Sequence, residues 1–440
     1  MTSNKNIFQI TYPIFLTLIA QNIINVTDTA FLGRVSEVAL GASAIAGVYY
    51  FAIYVVGFGF SQGAQILTGR RNGEHNYDRI GPIFNNGLIF IILLSLLFIV
   101  ISYFGNPIVM KYLVSSDNIY HASLEYLNWR IFGLFFAYIN AMFRAFYVGI
   151  TQTKALTISA VITALTNILL DYLLIFGHWG FPELGIAGAA IASVLAEAVA
   201  TGYLLLYSLK KKNINTYGIF VFRKIEWKAV AQILNLSVFI MFQFFISIST
   251  WFIFFLFIER MGERPLAVTN IGRSLYILLM IPGSALATTV NTVVSNLIGA
   301  GRKEEVIPFI NRMIKLVVVL VLPLLLFTFF YPELFAHIYT DDASLILAAV
   351  PVMKVVSVAM IFCAVGNIIF NAVSGTGNTR TAFVIEFFTL FFYLGYVYYT
   401  AIISPSSTAV VWMSEFVYWS LIGIAGYIYL QKGNWRKKQI

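Results

Sequence analysis

Uncharged stretches long enough to cross a lipid bilayer recur along the whole chain: residues 6–27, 38–69, 83–110, 229–258, 274–301, 316–333 (nearly) and 355–379. A helix needs about 20 mostly apolar residues to cross a hydrocarbon core of about 30 Å. Two further runs are each interrupted by one acid, 155–176 by Asp171 and 381–403 by Glu386. The runs are continuous and far exceed the ~10-residue alternating segments of a membrane barrel, so they read as helices. Composition agrees. Of 440 residues, 60% are apolar and 11% charged, against about 25% charged in a soluble domain. One core could not absorb that surplus, which must face lipid. The expected fold is an all-α integral membrane protein of twelve transmembrane helices, near 9–32, 40–68, 82–104, 123–149, 154–176, 185–209, 229–258, 266–297, 306–330, 350–374, 381–403 and 408–430.

Lysine and arginine give the orientation. With both termini in the cytoplasm, 20 of the 28 basic residues fall in inside loops. Four fall outside (Arg34, Lys111, Arg260, Arg264), and four lie within or at the ends of spans (Arg130, Arg144, Arg273, Lys354). That asymmetry satisfies the positive-inside rule and places a multi-pass protein in the plasma (inner) membrane. The net charge of +9 is then accounted for by anionic lipid beside the loops, and no nucleic-acid partner is expected. The first span carries Asn22, Asn25 and Asp28 and reads as a retained helix rather than a cleavable signal. The single cysteine, Cys363, rules out an intrachain disulfide or a cysteine metal cluster.

The chain repeats itself. A shift of 226 residues aligns Leu40 with Leu266, Ile45 with Ile271, Tyr50 with Tyr276, Gly57 with Gly283 and Gly73 with Gly299. The same shift lays Gly149–Lys154 on Gly375–Arg380. The halves are 1–210 and 229–440, an N-terminal and a C-terminal six-helix bundle, joined by a basic cytoplasmic linker over 211–228. An even number of spans per half makes the repeat parallel, the arrangement of secondary transporters that expose a site between the halves to alternate sides. No phosphate-binding loop of the GxxxxGK[ST] type, no HExxH and no GxSxG elbow is present, so neither ATP hydrolysis nor these enzyme chemistries is expected on this chain.

Ionisable groups inside spans are costly and mark candidate sites. Asp28 stands among Asn25, Thr27 and Thr29, while Asn167 and Asp171 are four apart and face one way from a helix. Two carboxylates, an amide and hydroxyls can form an oxygen-lined pocket for protons or Na⁺. The alternative for Asp28 is a helix cap at the outer interface beside Gly33 and Arg34. The repeat replaces Asp28, Asn167 and Asp171 by Phe254, Tyr393 and Val397. An ion site is therefore expected in the N-terminal half alone, leaving the other half for apolar contact. Glu197, Glu386 and Glu415 are secondary candidates that either pair with a hydroxyl or snorkel from a helix end. Glu386 is placed near the cytoplasmic face by Arg380. Pro13 removes a hydrogen bond from the first helix and is a candidate hinge, or a static kink.

These residues carry a resemblance. Pro13 with NVTDTAFLG over 25–33, QILTGRRNG over 65–73, Gly149 with Thr153 and Lys154, NILLD over 167–171, GIAGAAIAS over 185–193 and GTGNTR over 375–380 together resemble the multidrug and toxic compound extrusion (MATE) family. They occur in the expected order along essentially the whole chain. The resemblance implies two six-helix bundles and an antiporter that exports small, often cationic or aromatic compounds in exchange for H⁺ or Na⁺, with no other cofactor. It implies that Asp28, Asn167, Asp171 and Ser193 form the cation site and that Pro13 is where the first helix bends. The seventh span lacks the acid that one branch carries and offers Gln243, and the tenth has Cys363 and Asn367; this points to the DNA-damage-inducible (DinF-like) branch. The expected partners are a small-molecule substrate and membrane lipid, with a monomer as the working unit. A flippase or exporter of one dedicated metabolite is the nearest alternative. An integral membrane enzyme is a more distant one, because the four histidines are scattered.

Overall fold

The computed structural model describes residues 3–211, 216–221 and 226–438. Among these, the chain is helical with no strand. The order is α1 (Asn4–Val35), α2 (Glu37–Gly73), α3 (Ile80–Leu113), α4 (Asp117–Arg130), α5 (Gly133–Gly149), α6 (Lys154–Phe176) and α7 (Gly185–Lys210). Then come α8 (Trp227–Arg260), α9 (Glu263–Gly299), α10 (Val306–Phe330), α11 (Pro332–Ala336), α12 (Ala343–Gly375), α13 (Thr379–Tyr398), α14 (Thr408–Trp412) and α15 (Ser414–Lys432). Among the described residues eleven helices are long and apolar enough to cross a membrane, and the α4–α5 pair, bent by 51°, makes a twelfth when counted as one span. The expected spans and these helices coincide within a few residues at most ends.

Continuous apolar sequence makes the helices, and local chemistry ends them. Ser36 caps α2 by accepting from Ala39 N at 3.0 Å, supplying a partner that the first turn lacks. Asp342 caps α12, accepting from Ser344 N at 2.8 Å. Gly177 stops α6 with φ of 70°, a conformation that favours glycine. The break after Arg130 was not visible in the sequence, which reads as one helix over 123–149. It falls at Ile131 and Phe132 without a proline, and it leaves Arg130 as the last residue of α4, in the middle of the bent span.

The chain forms two compact units, 12–241, and 1–11 together with 242–440. Residues 1–11 and 229–241 thus belong to the unit formed mostly by the other sequence half. In the first unit α2 packs on α5, α4 and α3, and α6 packs along α7. The described part of the linker is pinned to α3. Asn85 Nδ2 donates to the carbonyls of Gly218 and Val221 (3.2 and 3.1 Å), and Phe220 N donates back to Asn85 Oδ1 at 2.8 Å. Lys212, Arg223 and Lys224 of this linker lie outside the described residues. In the second unit α12 is central, packed against α9, α15 and α10. Large apolar side chains such as Phe245, Phe252, Phe391 and Phe392 point outward, the pattern of helices whose solvent is lipid.

Candidate functional site

The close packing of α6 on α7 builds the first site. At Gly188 an added Cβ would sit 2.5 Å from the carbonyl oxygen of Leu174, so the absence of a side chain lets the two helices approach. That approach sets Ser193 of α7 opposite Asn167 of α6. One end of the Asn167 amide lies 3.4 Å from Ser193 Oγ, and the other lies 3.1 Å from Asp28 Oδ1 and 3.3 Å from Asp171 Oδ2. The Asp28 and Asp171 carboxyls thus converge on the same end of that amide. Asn167, Asp171 and Ser193 are buried and Asp28 is half-buried. All four residues expected at the cation site therefore meet. Asn25 and Thr29 do not join them; both are exposed, and the Thr29 hydroxyl donates to the Asn25 carbonyl at 2.7 Å.

Two carboxyls converging on one amide can hold a proton or a cation between them. The donor set fits either. Asp171 Oδ1 is buried without a partner, which leaves a lone pair for an ion or for the proton between the acids. Asn167 serves both states. With Nδ2 toward the acids it donates to them, and with Oδ1 toward them it adds a third oxygen to a cation's shell.

Glu197 has a different role. Arg130 holds it in a two-pronged ion pair, Nη2 to Oε1 at 2.7 Å and Nη1 to Oε2 at 3.1 Å. The guanidinium also lies 3.9 Å over the Tyr50 ring. A Cβ at residue 133 would fall 2.2 Å from Arg130 Nη1, so Gly133 leaves the space in which the pair forms. The acid is thus neutralised by a base 67 residues away in sequence, which no local motif announces.

In the second unit two acids sit among apolar and aromatic side chains. Glu386 and Glu415 are buried at 2% and 3% exposure, and neither snorkels. Glu386 accepts from Ser247 and from Tyr418 (3.1 Å). Glu415 accepts from Trp419 Nε1 (3.2 Å) and Tyr393 (3.4 Å). Among the described residues no cluster of histidine, cysteine and acid could hold a metal.

Repeated six-span halves and carboxyls buried within spans define a multi-pass membrane transporter of the secondary-active class. One family model, MatE, matches the chain twice, at residues 13–173 and 240–399. The protein belongs to the MatE family. The two matches also repeat the offset between the halves. Curated relatives include a probable multidrug resistance protein NorM of Thermotoga maritima, 25% identical over 88% of this chain and 83% of that protein. Another of the same name, from Synechocystis, is 24% identical over 99% and 96%. Among solved structures, the eukaryotic MATE transporter AtDTX14 superposes with a TM-score of 0.86 at 17% identity, covering 98% of this chain and 96% of its own.

Proposed function

We infer that this protein is a secondary active antiporter that exports small, often cationic or aromatic compounds in exchange for H⁺ or Na⁺. The observation that carries this reading is the convergence of Asp28 and Asp171 on Asn167 within one helical unit. A carboxyl pair there binds one proton or ion per cycle and changes charge as it does so, which is what an ion-driven exchanger requires. The curated relatives, named as multidrug resistance proteins, support drug-like compounds as the substrate class. The protein works in the plasma membrane as a monomer surrounded by lipid, with both termini cytoplasmic. Pro13 acts as the hinge of α1; the boundary between the two compact units falls just before it, between Thr11 and Tyr12. The enzyme alternative has no support from site or family. A phosphate-recognising flippase is disfavoured because Arg130 is already committed to Glu197 and Arg144 lies over the Phe58 ring.

Ethidium efflux from cells expressing the protein tests the reading. Efflux should exceed that of vector controls, fall to control level in Asp28→Asn, and collapse with a protonophore or on removal of Na⁺. Efflux from well-expressed wild type that equals the control would contradict it and turn attention to a dedicated substrate.

A further inference from the structure

The offset that relates the halves carries Asn167 to Tyr393 and Ser193 to Trp419, and it carries Ala189 to Glu415. The side chains at the first two positions bind the third in the second unit: Tyr393 and Trp419 are the donors to Glu415. The second unit has therefore kept a polar site where the repeat puts one. Its acid has moved from the counterparts of α1 and α6 to α15. Phe254 and Val397, which replace Asp28 and Asp171, are both buried, and Phe254 packs its ring 6.2 Å from that of Tyr393.

The site extends to a second carboxyl. Trp419 Nε1 reaches both Glu415 and the Tyr276 hydroxyl, the latter at 3.1 Å. Tyr393 lies 5.8 Å, ring to ring, from Tyr418, whose hydroxyl donates to Glu386. The titratable groups facing the two acids are Tyr276 of α9, Cys363 of α12, Tyr393 of α13 and Tyr418 of α15. Among the described residues no lysine, arginine or histidine pairs with either acid, in contrast to Glu197. Glu386 Oε2, on a side chain 2% exposed, has no partner. A carboxylate buried in lipid-embedded helices without a counter-charge binds a cation of some kind. The surrounding groups select which. A Na⁺ ion needs several oxygens turned inward, whereas one side of Glu415 is closed by an indole N–H that offers no lone pair, and the Tyr393 hydroxyl can donate to a carboxylate or turn to accept from the acid.

We propose that Glu386 and Glu415, linked through Tyr418, Tyr393 and Trp419, form a second proton-binding site, in the second unit, separate from the Asp28 constellation. Its place in transport rests on the antiport reading; its existence does not.

The site can be read without transport. In purified full-length protein carrying Asp28→Asn and Asp171→Asn, infrared difference spectra between alkaline and acidic pH should retain the carbonyl band of a buried carboxylic acid. Adding Glu386→Gln should weaken that band, and adding Glu415→Gln as well should abolish it. Ser247→Ala and Tyr393→Phe, which keep both carboxyls, should displace the band and not remove it, which separates loss of the site from loss of the fold. A band unchanged in the fully substituted protein, or one removed by Na⁺ at fixed pH, would overturn the proposal. In proteoliposomes, Glu386→Gln with Glu415→Gln in the otherwise unaltered protein should lower the protons exchanged per substrate by one. An unaltered ratio would leave the antiport reading standing and remove the proposed site from the cycle, whereas wild type that moves no substrate would remove the antiport reading alone.

Discussion

Each acid in this protein is decided by what touches it. Asp28 and Asp171 converge on one amide, so replacing either by asparagine should abolish ion-driven efflux while leaving the protein folded. Ser193 bonds the far end of that amide at 3.4 Å. A neutral hydrogen bond is worth about 1 kcal/mol, so Ser193→Ala should slow efflux by roughly fivefold. Loss as complete as that of Asp28→Asn would give Ser193 a direct part in ion binding. Glu197 obeys another rule. The Arg130–Glu197 pair is part-buried; removing one member strands the other charge at a cost of about 1–3 kcal/mol, while replacing both with neutral groups can cost little. Arg130→Met and Glu197→Gln should each lower the thermal unfolding midpoint in detergent, and the double substitution should recover most of the loss. Additive losses would show that the pair is not the relevant partner.

The helices differ in how much of them the sequence exposes. Twelve spans were legible because each is a continuous apolar run, and a charge in such a run is conspicuous. Asn167 and Asp171 were legible as a pair because four residues make one helical turn and a little more. The α4–α5 break was not, since Arg130, Ile131 and Phe132 hold no proline and the apolar pattern passes straight through. The network around Glu386 and Glu415 was not, because its partners are aromatic. In a chain with 40 Phe and 25 Tyr a bonding tyrosine looks like any other. The α6–α7 contact yields its own prediction. Gly188→Ala puts a Cβ 2.5 Å from the Leu174 carbonyl, a backbone atom that cannot turn away. The strain should cost about 1–3 kcal/mol and displace Ser193 from Asn167. Reduced efflux with a lowered unfolding midpoint is expected; an unaffected variant would mean that α7 shifts freely. At the start of α12, the Ser344 hydroxyl, then the N–H groups of Ser344 and Leu345, hold the Asp342 carboxyl below its usual range. A carboxyl depressed on folding stabilises at neutral pH and loses that contribution as pH falls through its folded value. Asp342→Ala should therefore lower the unfolding midpoint at pH 7 more than in strong acid.

For the whole molecule, repetition is the organising fact, and the halves diverge within it. The same fold is written twice at an offset of 226 residues, and the family model meets it twice. Yet one unit holds an aspartate pair and the other holds glutamates among tyrosines. Helix α1 contributes residues to both units, with Pro13 next to the changeover. Pro13→Ala should therefore slow turnover while leaving ion binding at Asp28 intact.

Whether export is driven through the Asp28–Asp171 pair is read out by exchange in proteoliposomes of purified protein, with ethidium on one side and either a proton or a sodium gradient imposed. One of the two gradients should drive ethidium uphill in wild type, and Asp28→Asn, folded and inserted, should not respond to that gradient. Uphill movement by Asp28→Asn equal to that of wild type would contradict a drive through the pair.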